Sequence, residues 1–196
     1  MHISDGIINT PVTIAANAAA LGLVYVTGRK ATTEEVPRMG MTGAALFVVS
    51  LIHFPVAGTS IHLGLFGLAG IILRHRAFPV IFTVLLFQSL IFQHGGILTI
   101  GLNALNMGAG AYVAWMIWRI VVLPEYIKSV LAGMAGILVP ALLMIAELRV
   151  SGYGASIALL LVVYLLTALI EGGITLSAVL FLGKVKPEIL NGGSKV

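Results

Sequence analysis

Residues 155–182 read ASIALLLVVYLLTALIEGGITLSAVLFL, an apolar run with one charged side chain, Glu171. About 20 mostly apolar residues suffice for a helix to cross the hydrocarbon of a bilayer, and this run exceeds that length. Working back from it, six more apolar segments appear, at residues 11–27, 40–54, 61–73, 78–92, 97–122 and 128–146. Asn9 or Thr10 caps the first helix, and Pro11 sits in its first turn, where a missing N–H costs nothing. Pro55 stops the second, and residues 56–62 read as a turn-rich connector. The third is shorter than a full span, so it is either a tilted half-helix or lengthened by that connector. Pro140 marks a kink in the sixth. The expected fold is an all-α integral membrane bundle of about seven transmembrane helices. It forms a single transmembrane domain, 1–196: an external N-terminal segment 1–10, the bundle 11–182 and a basic cytoplasmic tail 183–196.

Composition supports this class. The chain of 196 residues is 59% hydrophobic and only 9% charged, against about 25% charged in ordinary soluble domains. The helical period of the apolar runs argues against a barrel. There is no cysteine, which removes disulfides, thiolate metal sites and thiol catalysis. The net charge of +4 is dispersed over helix ends and is no nucleic-acid signature. The first residues lack the basic region of a cleaved signal peptide, and Asn9-Thr10-Pro11 reads as a helix start.

Orientation follows from the basic residues, which favour the cytoplasmic side. With the N-terminus outside, one side collects Arg29, Lys30, Arg38, Arg74, Arg76, Arg119, Lys128, Lys184, Lys186 and Lys195, ten of the eleven Lys and Arg. Only Arg149 falls on the other. Trp115, Trp118 and Tyr126 fit an aromatic belt at the inner boundary. The expectation is a multi-pass protein of the cell (plasma or inner) membrane, N-terminus out and C-terminus in.

This topology sends His2, His53, His62 and His94 to the outer ends of the helices and only His75 to the cytoplasmic side. Four imidazoles at one level could bind Zn, Cu, Fe or Ni. The alternative is a set of amphipathic histidines at headgroup depth, although chance would scatter those over both faces. In Met1-His2, the α-amino group, the His2 amide and the His2 imidazole can wrap a cation in fused chelate rings. Nitrogen-rich tetragonal sites of that kind suit Cu(II) or Ni(II).

Met1-His2-Ile3-Ser4-Asp5-Gly6, His53-Phe54-Pro55-Val56, Gly58-Thr59-Ser60-Ile61-His62, Gln93-His94-Gly95-Gly96, Gly101-Leu102-Asn103 with Asn106-Met107, and Glu171-Gly172-Gly173-Ile174-Thr175 occur in that order. Together they resemble the CbiM/NikM family, the substrate-binding membrane subunits of energy-coupling factor (ECF) transporters for cobalt and nickel. The resemblance covers nearly the whole chain. It implies seven helices with an external N-terminus threaded into the bundle. It also implies a four-nitrogen, roughly planar site from the Met1 α-amine, the His2 amide and imidazole, and the His62 imidazole, suited to low-spin Ni(II) and acceptable to Co(II). The implied partners are a transmembrane coupling subunit, ATPase subunits and a small accessory membrane subunit. No tightly bound cofactor is expected, the metal being cargo. Where this sequence has His53 before Phe54-Pro55 the family pattern has Asn, so His53 is read as a donor behind the ligands or as a substituted ligand. His94 and Ser60 are placed behind the ligands or on the metal's way in.

Other residues have more than one reading. Glu171, a carboxylate inside an apolar segment, is a functional candidate by default, with internal hydrogen bonding to another helix as its expected role. Asn103 and Asn106 read as interhelical glue that could also hold the His94 loop. Asp5 could orient His2 or cap the first helix. Gly40, Ala44, Ala15, Ala16, Ala19 and Ala20 suit close helix packing, and by resemblance one such face docks the coupling subunit. An intramembrane metalloenzyme would need a motif such as His-Glu-x-x-His, which is missing, so no catalytic residues are assigned. A metal-free structural subunit is the remaining rival. With no Walker A sequence in this chain, ATP hydrolysis is expected on partners.

Overall fold

The structure, a computed structural model, describes residues 2–56, 59–153 and 156–191. Among them seven helices build the bundle: α1 (Thr10–Gly28), α2 (Glu35–Ser50), α3 (Phe66–Leu73), α4 (Ala77–Phe92), α5 (Ile100–Trp118), α6 (Glu125–Val150) and α7 (Ile157–Val185). A one-turn α8 (Glu188–Asn191) follows in the tail, and a 3-10 turn, Arg74–Arg76, links α3 to α4. Four stretches are long and apolar enough to cross a membrane: Thr10–Gly28, Phe66–Phe92, Glu125–Val150 and Ile157–Val185.

The N-terminal signals of α1 act as the sequence indicates. Asn9 caps it, its side chain accepting the Val12 N–H at 3.1 Å, with Pro11 in the first turn. The connection between α2 and α3 differs from expectation. Helix α2 starts earlier and ends at Ser50, and the expected turn-rich connector, with His53 and Phe54 from the second expected helix and Ile61 and His62 from the third, forms an antiparallel hairpin instead, β1 (His53–Val56) and β2 (Thr59–His62). Pro55 drives the residue before it toward extended backbone, and Val56, Thr59 and Ile61 are β-branched residues that favour strands. Its register sets His53 opposite His62, so both project from one face.

Helix α5 is the axis of the molecule. Eleven of its nineteen residues are buried, against three of nineteen in α1, which lies on the periphery. Small residues let neighbours close on it. A Cβ added at Gly70 of α3 would stand 2.1 Å from the Ala111 carbonyl oxygen of α5, and one at Gly136 of α6 would stand 2.2 Å from the Gly67 nitrogen of α3. One end of this packing is stapled by Arg76. Its buried guanidinium donates to the carbonyls of Thr27 (2.6 Å), Arg29 (3.0 Å) and Lys30 (2.8 Å) and pairs with Glu35 at 3.2 Å. The end of α1, the start of α2 and the α3–α4 junction are thus fixed together by one side chain.

Candidate metal centre

Three separate elements bring histidines together at the other end of the bundle. The N-terminal segment carries His2, the hairpin carries His53 and His62, and the turn after α4 carries His94. That turn is made by Gln93 (φ +51°) and Gly95 (φ +77°), with the His94 N–H returning to the Gln88 carbonyl at 3.2 Å. Ring centroids lie 4.9 Å apart for His2–His62, 4.3 Å for His2–His94, 5.8 Å for His62–His94 and 4.2 Å for His53–His94. One donor atom from each of His2, His62 and His94 can be chosen so that all lie within 4.8 Å of one another. An ion at about 2.0–2.1 Å from each nitrogen would hold them no more than about 4.2 Å apart, so binding would draw the rings slightly inward.

Burial grades across the cluster. His2 and His62 are buried, 4% and 3% exposed, His94 is half-buried and His53 is exposed. All four lie outside the membrane-crossing stretches. Burial above all holds His2 and His62 well below the usual histidine range, helped for His2 by the His62 imidazole and the positive N-terminus and for His62 by the positive N-terminus and then His94, and burial with His53 pushes His94 down to about 4. Neutral imidazole is the form that binds a metal. His62 Nδ1 lies 3.1 Å from the Leu63 carbonyl oxygen, whereas its Nε2 is buried with no hydrogen-bond partner among the described residues.

The N-terminal segment is docked rather than draped. Asn103 of α5 grips Ile3 on both sides, its Oδ1 accepting the Ile3 N–H (2.8 Å) and its Nδ2 donating to the Ile3 carbonyl (3.0 Å). Thr99 Oγ1 donates to the same carbonyl at 2.7 Å. Ile3 is 1% exposed and Ile8 8%, and burying each contributes roughly 1.5–3 kcal/mol relative to water. Asp5 neither caps α1 nor orients His2. Its Oδ1 accepts the Thr99 N–H (3.0 Å) and lies 3.1 Å from the Thr99 hydroxyl oxygen, whose one proton is directed at the Ile3 carbonyl, so Asp5 ties the N-terminal segment to the residue before α5.

The remaining expectations divide. Asn106 does join two helices, donating to Glu147 of α6 at 2.7 Å, but Asn103 holds the N-terminal segment rather than a helix or the His94 loop. Glu171 is fully buried in α7, and its carboxylate accepts the N–H groups of Gly64 and Leu65 in the β2–α3 connector, not a bond from another helix. His75 sits beside Trp115, ring centroids 6.4 Å apart, outside the cluster. Met1 and the Ser60 side chain lie outside the described residues. Sequence reading missed Thr99, which falls inside the apolar segment 97–122 and whose hydroxyl binds the distant Ile3 carbonyl rather than its own helix.

Comparison with known proteins agrees with this fold. Residues 2–189 match the family model CbiM, described as cobalt uptake substrate-specific transmembrane region. The chain is 30% identical over 200 residues to a putative metal transport protein of Haemophilus influenzae, covering 97% of each. It is 29% identical over 206 residues to a putative fused nickel transport protein NikMN of Archaeoglobus fulgidus, covering 97% of this chain and 68% of that one. A solved transition metal transporter superposes with a TM-score of 0.84 at 25% identity, over 96% of this chain and 95% of the other. The chain therefore belongs to the CbiM family and is a multi-pass membrane component of cobalt/nickel transport.

Proposed function

We propose that this chain is the metal-recognising subunit of an ECF-type transporter and takes up Ni(II) in preference to Co(II), the ion being cargo. The observation that carries this reading is the buried, unpartnered Nε2 of His62 within a cluster of imidazoles. A buried polar nitrogen left without a partner costs about 1–3 kcal/mol, and an incoming cation removes that cost. His62 and the His2 imidazole supply two nitrogens. The resemblance supplies the other two, the Met1 α-amine and the His2 amide. Such a planar set, with an ionised amide, favours low-spin Ni(II) over larger or octahedral ions. His53 and His94, the more exposed members, conduct the ion inward.

The N-terminal side faces out and the basic side faces the cytoplasm, so the ion enters from outside. A transmembrane coupling subunit, ATPase subunits and a small accessory membrane subunit complete the transporter, and the chain itself is not catalytic. The fused NikMN relative supports partners of this kind.

Elemental analysis of purified protein tests the reading. Nickel should co-purify, and one residue added ahead of Met1 should abolish it while folding is retained. In an uptake assay His62→Ala should lose transport and His75→Ala should not. Unchanged nickel content in the extended chain, or equal behaviour of the two mutants, would refute the site.

A further inference from the structure

The segment that follows His62 is held in a conformation it would not adopt by itself. Leu65 has φ +51°, a left-handed backbone rare for a bulky residue. A Cβ at Gly64 would strike the Phe66 ring at 2.2 Å, so any larger residue there would have to displace that ring. Glu171 reaches this segment from α7, 107 positions away in sequence. Its Oε1 accepts the Gly64 N–H at 2.6 Å and the Leu65 N–H at 2.9 Å, and its Oε2 lies 3.1 Å from the Leu65 nitrogen.

The Leu63–Gly64 peptide therefore has a partner on each side. Its N–H donates to the Glu171 carboxylate, and its carbonyl faces His62 Nδ1 at 3.1 Å. A carbonyl oxygen can only accept, so Nδ1 must carry the proton and, in the neutral ring, Nε2 must carry the lone pair. That lone pair is on the buried, unpartnered atom. Amide resonance couples the two sides of the peptide. Donation from N–H to a carboxylate shifts electron density onto the carbonyl oxygen, and hydrogen bonds in series strengthen one another.

We propose that Glu171 is a positioning residue for metal recognition, acting on His62 through the Leu63–Gly64 peptide. The relay fixes the Nδ1–H tautomer and makes Nε2 a stronger donor. It resembles the carboxylate–histidine pairs behind many metal sites, with one peptide group inserted between carboxylate and imidazole. It rests on the reading of His62 as a ligand, and it gives the intramembrane carboxylate a role without contact to the ion.

Glu171→Gln tests it, because the amide oxygen can still accept the Gly64 and Leu65 N–H groups while the charge is lost. Nickel titrations of detergent-purified wild type, Glu171→Gln and His62→Ala are compared by visible absorbance, with melting of each metal-free protein. The relay requires Glu171→Gln to melt close to wild type, to bind nickel about 10–100-fold more weakly and to show its band at longer wavelength, the mark of a weaker donor. Unchanged affinity and band position in Glu171→Gln, alongside lost binding in His62→Ala, overturn the relay and leave the site standing. Binding by His62→Ala equal to wild type overturns the site reading, and the relay with it. Should Glu171→Gln not fold, nuclear magnetic resonance of the wild type decides. A far-downfield Gly64 amide proton and an Nδ1-protonated His62 support the relay, and an Nε2-protonated ring overturns it.

Discussion

Replacing His62 with leucine should leave the stability of the metal-free protein nearly unchanged and make the nickel-loaded protein less stable. The buried Nε2 has no partner among the described residues, which costs about 1–3 kcal/mol, while the bond between Nδ1 and the Leu63 carbonyl returns about 0.5–1.5 kcal/mol. Leucine is of similar bulk and removes both, but it leaves the Leu63 carbonyl without its donor, at a cost similar to that of the orphaned Nε2, so the two sides nearly cancel. In a chain of this length about 1 kcal/mol corresponds to about 2–4 °C, so the metal-free proteins should melt within about that interval of each other. Nickel separates them. A ligand at 100 times its dissociation constant stabilises the folded state by about 2.7 kcal/mol, and the mutant forfeits most of this with a quarter of its proposed donors. Melting curves in detergent should nearly coincide for the two proteins with chelator and separate with excess nickel. A mutant that melts several degrees below wild type without metal, or gains as much from nickel, would show that His62 is a structural histidine.

Asn103→Ala strips the Ile3 N–H of its acceptor while Thr99 still serves the Ile3 carbonyl. Docking of the N-terminal segment should weaken by about 1–3 kcal/mol, seen as faster hydrogen exchange over residues 2–8 and weaker nickel binding. Unaltered exchange there would mean that Asn103 does not hold the segment. The pH dependence of the metal-free protein has a definite sign, because the folded His2, His62 and His94 resist protonation, His94 down to about 4. Unfolded histidine titrates near 6.5, so their stability contribution is complete above about pH 6.5 and is lost as pH falls from there toward the folded values. A melting temperature that stays flat across that window contradicts the burial of the cluster. Gly70→Ala drives a methyl to 2.1 Å from the Ala111 carbonyl, and such overpacking costs about 1–3 kcal/mol or more. Gly22→Ala, with nothing within 4 Å, should be neutral or gain up to about 1 kcal/mol in melting experiments.

Much of the bundle is legible in the sequence because each helix is a local apolar run with local stop signals. Helices α1, α4 and α7 fall within about two or three residues of where composition puts them, the usual latitude of helix ends. Residues 51–62 are not legible in the same way. Residues 51–54 continue the apolar character of α2, and the Gly, Thr and Ser that follow Pro55 read as a connector without saying that it pairs as two strands. The histidine cluster is half legible: positive charges sort its members to one end, but ring distances depend on a hairpin register that composition does not express. Least legible are the ties between distant residues. Asp5 and Thr99 are ordinary polar residues in isolation, and their pairing across 94 positions leaves no local pattern. Glu171 stands out as a lone carboxylate, yet nothing near it in sequence names Gly64 and Leu65 as its partners.

Those long ties also order events during synthesis. His2 emerges among the first residues, but its segment docks on Asn103, 100 positions later, and the His62 connector is clamped by Glu171, 107 positions beyond Gly64. At about 5–20 residues per second, the nascent chain carries an uncompleted centre for roughly 10–30 s. A truncated or stalled product that lacks α7 has its histidines but not the clamp behind His62. With His62 as the proposed ligand, completion of the last long helix would act as a checkpoint, so that a chain would become fully competent to hold an ion only after the whole bundle has been made.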